Sequence, residues 1–556
     1  MNSPRGPRSS PWRAPALIVA AGVPLAVLAV FFAWPVGNLV ARGFVTDGHL
    51  DISGFAEVFG APRTWRILGY TLLNGLLGAG LSILLGLPGA YVLYRVRFPG
   101  QALVRGFIVV PFVLPTVVVG VAFRSLLSDG GALGFLGLDG TYVAIVLALV
   151  FFNYSVVVRS VGGMWARLDE RAVEAARTLG AGPLRAFWTV TLPALTPAIA
   201  SAGAVVFLFC ATAYGVVLIL GGVRYGTIET EIWLQTSQFL NLRAAAVLSV
   251  VQLVVVAGAL WVSGRARARR EAALPLREAP ARAFTWRRDA APAAVTAAVI
   301  LGLLAAPLVS LLVRSFRTPD GWGLGNYVNL GTTGGANTLT VTVWQAVDNS
   351  LRVAVDATVL AVTLGVLVAL VLAARPRTAR GRRALAALDA VFMLPLGVSA
   401  VTVGFGFLIT LNHPPLDLRS SMVLIPIAQA LVALPLVVRT ILPVLRAIDP
   451  RQSEAAATLG AGPVRSFATV VGPHLLRSMG LAIGFAFAIS LGEFGATSFL
   501  ARPDSPTLPV VIYRLIGRPG ADNFGMALAA SVILAVVTAA VMMISERLRG
   551  SEAGEW

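Results

Sequence analysis

Apolar stretches of membrane-spanning length recur along the chain, separated by short polar segments that carry most of its charge. A span needs about 20 mostly apolar residues. Twelve stretches qualify, at roughly 14–40, 67–94, 106–127, 142–158, 196–220, 244–263, 291–313, 351–374, 386–411, 421–438, 476–500 and 524–545. The pattern predicts an all-α polytopic membrane protein with about 12 transmembrane helices. Arg5, Arg8 and Arg13 precede the first apolar run, as in a signal peptide. That run continues to about Val40 without a clear small-x-small cleavage site, so it is read as a retained first span.

The polar segments contain a repeat. DERAVEAARTLGAGPLRAFWTVTLPAL, from Asp169, and DPRQSEAAATLGAGPVRSFATVVGPHL, from Asp449, share 17 of 27 positions at an offset of 280. The same offset maps Leu114-Pro115 to Leu394-Pro395, Arg159 to Arg439, Gly215 to Gly495, Thr227 to Thr507 and Ile232 to Ile512. A constant offset over such a length means duplication. Six spans per half is an even number, so the halves are parallel repeats related by an axis along the membrane normal. The expected organisation is a first half at 1–263, a basic linker at 264–290 and a second half at 291–556. The linker holds eight Arg against three acids and is interrupted by Pro275 and Pro280.

Arginines cluster in alternate loops: Arg95, Arg97 and Arg105; Arg159, Arg167, Arg171, Arg177 and Arg185; Arg375, Arg377, Arg380, Arg382 and Arg383; and the linker. The opposite loops are poorer, holding Arg63, Arg66, Arg224, Arg502 and Arg518. The positive-inside rule makes the first set cytoplasmic. Both termini are then cytoplasmic too, in a multi-pass protein of the cell membrane.

Composition narrows the chemistry. The chain is 57% hydrophobic and 13% charged, against roughly 25% charged in soluble domains. Its net charge of +18 does not imply nucleic acid, because the arginines punctuate spans and cover no single face. No lysine occurs, so all 44 basic residues are Arg. A phosphate-binding GxxxxGK(S/T) loop requires Lys, so any ATP hydrolysis belongs to a partner and the chain is not expected to be an enzyme. Cys210 has no disulfide partner and reads as a small packing residue. His49, His413 and His474 show no ligand spacing, so no metal site is expected.

The duplicated loops, 167–193 and 447–473, have a readable shape. Asp169 and Asp449 are candidate helix N-caps, and Pro450 suits a first helical position. A short helix runs through Glu174-Ala175-Ala176 in one copy and Glu454-Ala455-Ala456 in the other. Gly180 and Gly460 end it, since Gly takes the left-handed conformation cheaply. Pro183 and Pro463 start a second short helix, which Pro193 and Pro473 are expected to close. Paired alanines let another surface approach closely, and the glutamate offers a charge.

The pattern E-A-A-x3-G-x9-hydrophobic-x-L-P resembles the coupling loop of binding-protein-dependent ABC importer permeases of the type I fold. Here it reads Glu174-Ala175-Ala176, Gly180, Val190, Leu192 and Pro193, then Glu454-Ala455-Ala456, Gly460, Val470, Gly472 and Pro473. Gly472 departs from the usual Leu. The resemblance covers about residues 65–260 and 350–545. It implies that both loops ride on a separate ABC ATPase, present as two copies that hold ATP and Mg while this chain holds no cofactor. It also implies an extracytoplasmic solute-binding protein and alternating access driven by nucleotide.

A fused pair of halves looks like the thiamine and ferric-iron importers. Leu491-Gly492-Glu493-Phe494-Gly495 followed by Thr507-Leu508-Pro509 looks more like the thiamine permeases, although molybdate and sulfate permeases share the LGEFG element. A polyamine or other solute stays open. Glu493 breaks the pseudo-symmetry, because its offset partner is Ala213. An acid within a span is costly and faces a cavity or a partner. Glu493 therefore either lines the solute path, with Phe494, Tyr214, Pro115 and Pro395, or makes a helix–helix hydrogen bond or a binding-protein contact. Pro115 and Pro395 are expected to kink equivalent spans. Asn74 and Asn153 read as interhelical hydrogen-bonders, and Arg352 and Asp356 as a pair on one helix face. A secondary transporter with two six-span repeats would explain the duplication but would not need these loops. ATP dependence separates the two.

Overall fold

The computed structural model describes residues 13–46, 48–222, 224–268, 281–374, 376, 378–414, 416–418 and 421–548. The middle of the expected linker, with Arg5, Arg8, Arg375 and Arg377, lies outside the described residues. Among the described residues, nine helices are long and apolar enough to cross a membrane. Three further apolar pairs are bent: Gln101–Val113 with Thr116–Leu127 by 105°, Ala379–Gly397 with Ala400–Thr410 by 91°, and Val464–Leu476 with Ser478–Gly492 by 46°. Counting each pair once gives 12 spans, in the order that the hydropathy pattern predicts. The chain is an all-α integral membrane protein.

Local chemistry explains the bends. A residue before proline is pushed out of the helical region. Leu114 is accordingly extended (φ −66°, ψ 141°), and Pro115 precedes the helix Thr116–Leu127. In the second copy the chain turns through Leu394–Gly397 and extends at Val398 (φ −119°, ψ 133°). Ser399 Oγ then caps the next helix by accepting from the Thr402 N–H at 3.0 Å.

Two compact units emerge. One contains residues 1–41, 344–510 and 536–556; the other contains 42–343 and 511–535. The units do not follow the order of the halves, because each includes the opposite half's first span. In the unit holding 42–343, the helix Pro62–Arg95 packs closely on Tyr142–Ala166 and Leu192–Ala211. A Cβ on Gly75 would lie 2.5 Å from the Phe207 ring, and one on Gly78 would lie 2.4 Å from Cys210 Sγ. Small residues let membrane helices approach in this way, and Cys210 is a packing residue of that contact. Asn74 Oδ1 accepts from Tyr142 Oη at 2.8 Å. Asn153 Nδ2 bonds Leu149 O in its own helix and lies 3.3 Å from Cys210 Sγ on the neighbouring one. The other unit is packed around Phe392, Phe407, Leu434, Val437 and Ile441.

Three expectations change. Arg352 pairs with Asp348 at 2.8 Å, and Asp356 is exposed. An acid one turn before its base is the more favourable order on a helix. Pro193 and Pro473 do not close a helix. Each helix runs on from the loop through a π-helical turn, Phe187–Thr191 or Phe467–Val471, into the span Leu192–Ala211 or Gly472–Gly492. Both prolines lie in the first turn after the π segment, where the widened turn accommodates a missing N–H. The expected spans 196–220 and 476–500 are not continuous helices, because the backbone breaks after Ala211 and after Gly492.

Candidate functional site: paired loops and paired breaks

The two loops have the same construction. Helices Arg171–Thr178 and Pro450–Thr458 start where Asp169 Oδ1 and Asp449 Oδ1 accept from the N–H of Arg171 (3.0 Å) and Arg451 (2.9 Å). They end at Gly180 (φ 86°) and Gly460 (φ 82°). Each end is closed by a bond two residues beyond the leucine: Ala181 N–H to Ala176 O and Ala461 N–H to Ala456 O, both 3.0 Å. The second alanine of each Glu-Ala-Ala group therefore supplies a carbonyl that finishes the turn. Glu174, Ala175, Glu454 and Ala455 are exposed, and Ala176 and Ala456 are half-buried. Beside them Leu179 and Leu459 are both 88% exposed. The two copies thus expose the same large apolar side chain at the same place in a charged polar loop. Those leucines were not among the expected contacts, although they lie within the repeated motif.

The breaks differ. After Gly492, Glu493 leaves the helix (φ −69°, ψ 124°). Its carboxylate accepts from the N–H of Ala496 (2.8 Å) and Thr497 (3.0 Å) and from Thr497 Oγ1 (2.5 Å). It thus caps the short helix Thr497–Leu500. Gln429 Nε2 donates to the same hydroxyl at 3.2 Å. Glu493 and Phe494 are buried. The broken span behind them comes close, since a Cβ on Gly404 would lie 2.6 Å from Ala496 Cα. In the first copy the break leads from Ala211 to Gly215, with Tyr214 buried. No acid stands at Ala213. Instead Gln252 Nε2 reaches Ala211 O at 3.4 Å and Glu229 Oε1 at 2.9 Å. Glu229 is fully buried on the helix Ile228–Ser237.

The structure therefore brings Glu493 and Phe494 together at one break and places Tyr214 at the other. Pro115 and Pro395 lie at the bends of the two broken spans. Sequence reasoning missed Glu229, Gln252 and Gln429. Gln252 and Gln429 carried a signal, a lone polar residue in an apolar stretch; Glu229, among Thr227, Thr230 and Glu231, carried none of that kind. Among the described residues, no group of three His, Cys, Asp or Glu could hold a metal ion.

Bent spans, twin exposed loops and helix breaks at matched positions describe a duplicated polytopic membrane protein. Residues 78–267 match the family described as binding-protein-dependent transport system inner membrane component. The thiamine transport system permease protein of Brucella abortus is 25% identical over 96% of this chain and 95% of its own length. That of Escherichia coli is 27% identical over 82% of this chain and 84% of its own. The probable sulfate transport system permease protein cysT of Nephroselmis olivacea is 31% identical over 34% of this chain and 67% of its own. This chain belongs to the family of binding-protein-dependent ABC importer permeases.

Proposed function

We propose that this permease imports thiamine, delivered by an extracytoplasmic binding protein and driven by two copies of a separate ABC ATPase. The carrying observation for the solute is relatedness to thiamine permeases along nearly the whole of both chains. The carrying observation for the ATPase is the doubled loop with matching caps, ends and exposure. In this reading loops 167–193 and 447–473 dock the ATPase through Glu174, Ala175, Ala176, Gly180 and Pro193, and through Glu454, Ala455, Ala456, Gly460 and Pro473. ATP and Mg are held by the partner; a chain without lysine makes no P-loop of its own. The Arg-rich loops and both termini face the cytoplasm of a cell membrane.

The solute path is lined by the irregular segments around Tyr214 and Glu493–Phe494, and by the bends at Pro115 and Pro395. Non-helical backbone at membrane depth is tolerated where protein buries it or where it lines a cavity. Of the two breaks and the two proline bends named here, one of each lies in each half, which suits a path that opens by rocking of paired elements. Glu493 acts there by holding the broken backbone, since its carboxylate oxygens are taken by N–H and hydroxyl groups.

The test is uptake into proteoliposomes that hold this chain, its ATPase and its binding protein, with thiamine and ferric iron compared. ATP-dependent thiamine uptake is expected. Iron uptake without thiamine uptake would replace the solute and leave the ATPase reading intact. Uptake driven by an ion gradient without ATP would remove the importer mechanism.

A further inference from the structure

The first docking loop is tied to the end of the linker through residues that the second copy replaces. Linker residues Arg282–Ala283 pair in parallel with Val96–Arg97, directly after the helix Pro62–Arg95. The Phe284 N–H continues the ladder to Arg97 O at 3.3 Å. Asp289 is fully buried there. It accepts from Tyr91 Oη at 2.9 Å and from the Thr285 N–H at 2.8 Å, and is ion-paired to Arg282. Tyr91 and Arg282 are also hydrogen-bonded to each other.

From this cluster two contacts run to the loop. Arg95, almost wholly buried, is ion-paired to Glu170 at the start of the loop. The Tyr91 ring packs on Trp165 (centroids 5.4 Å apart), and Trp165 packs on Phe187 (6.1 Å) in the π-helical turn at the loop's end. Both ends of the first loop are thus held to the base of one helix, and that helix is held to the linker. At the offset of 280, Glu170 becomes Pro450, Tyr91 becomes Val371 and Trp165 becomes Leu445. At these three positions the second copy has neither the carboxylate nor the aromatic chain; among its described residues Arg446, just before the loop, donates instead to Leu372 O at 3.3 Å.

We propose that Arg95, Tyr91 and the linker end form a clamp that makes the first docking loop the stiffer transmitter of nucleotide state, so that the two ATPase docking sites contribute unequally to transport. The proposal rests on reading the loops as ATPase docking sites. A stiff connection passes a displacement on, whereas a loose loop absorbs it, because packed elements shift between discrete arrangements. Arg95 and Tyr91 are positioning residues in this scheme, and neither touches solute.

The complete transporter in proteoliposomes, with its ATPase and binding protein, tests the clamp. Thiamine taken up per ATP hydrolysed is measured, with binding-protein stimulation of the ATPase as a readout that needs no transported solute. Arg95→Gln is expected to lower the uptake-to-hydrolysis ratio about tenfold, within the usual range of coupling between sites. Tyr91→Val, which installs the residue of the second copy, is expected to lower it about fivefold, and also to weaken stimulation. The exchange Arg95→Glu with Glu170→Arg is expected to restore most of the ratio while ATPase co-purification stays unchanged. Ratios and stimulation equal to wild type, or uptake and hydrolysis falling in parallel in Tyr91→Val, would overturn the clamp. A wild-type complex with neither stimulation nor ATP-dependent uptake would overturn the docking reading instead.

Discussion

The two copies of the repeat agree in their exposed polar loops and diverge where the chain breaks within the membrane-spanning segments. Loops 167–193 and 447–473 share an aspartate that accepts from the N–H two residues on, their left-handed glycines and their closing bonds, although the N-cap position itself is Glu170 in the first and Asp449 in the second. The breaks at 212–214 and 493–496 solve one problem with different atoms. One covers the carbonyl end of the upstream helix with Gln252, backed by Glu229; the other covers the amide end of the downstream helix with Glu493. Docking on two copies of one ATPase, as proposed above, constrains surface geometry residue by residue. A broken helix constrains only that its orphan N–H and C=O groups be satisfied, so the means can drift.

The sharpest way to break that comparison is at Glu493. Glu493→Ala leaves buried N–H groups of Ala496 and Thr497 without an acceptor, at a cost of about 1–3 kcal/mol for each unsatisfied group. A lower melting temperature in detergent and loss of most uptake are expected. Glu493→Gln keeps one acceptor and should fall between; wild-type stability in Glu493→Ala would refute the capping role. Gly404→Val comes next, since its side chain meets Ala496 backbone. Overpacking there should cost about 1–3 kcal/mol, while a wild-type melting temperature would mean that the two backbones separate freely.

The loops offer a matched pair. Gly180→Ala and Gly460→Ala should each cost about 1 kcal/mol at a left-handed position. The loss of stability should be the same in both, because the left-handed glycine and its closing bond are the same in the two copies. Different losses of melting temperature would mean that the backbone conformation of the glycine does not set the cost. The smallest effects lie at the surface. Removing Asp348 should change stability by less than about 1 kcal/mol, since exposed ion pairs are worth little. Asp51 is held down to about 2 by hydrogen bonds from Ser53 and by Arg243. A depressed carboxylate stabilises the folded form above its unfolded value and loses that contribution as pH falls through its folded one. The Asp51 contribution should therefore disappear between about pH 4 and pH 2, and an Asp51→Asn protein should lack that part of the acid response.

Hydropathy pointed to the nine long apolar helices and the three bent pairs among the described residues because length and apolarity are local properties. The loops were equally legible: Gly180, Gly460, Asp169 and Asp449 do their work within four residues of themselves. Pro193 and Pro473 misled, because a proline next to a π-helical turn does not end a helix. Arg352 had acids one turn away on both sides, and the helix's preference of order chose Asp348.

Chain order by itself determined the duplication, the number of spans and the shape of the docking loops, since each rests on periodicity and short-range backbone chemistry. Only the tertiary structure decided that each unit takes in the other half's first span, that Glu493 serves the backbone, and that Gln252 joins Ala211 to Glu229. Those outcomes depend on which surfaces exclude lipid together. A buried polar group takes whichever partner the packed fold brings within reach, and that partner stands tens or hundreds of residues away along the chain.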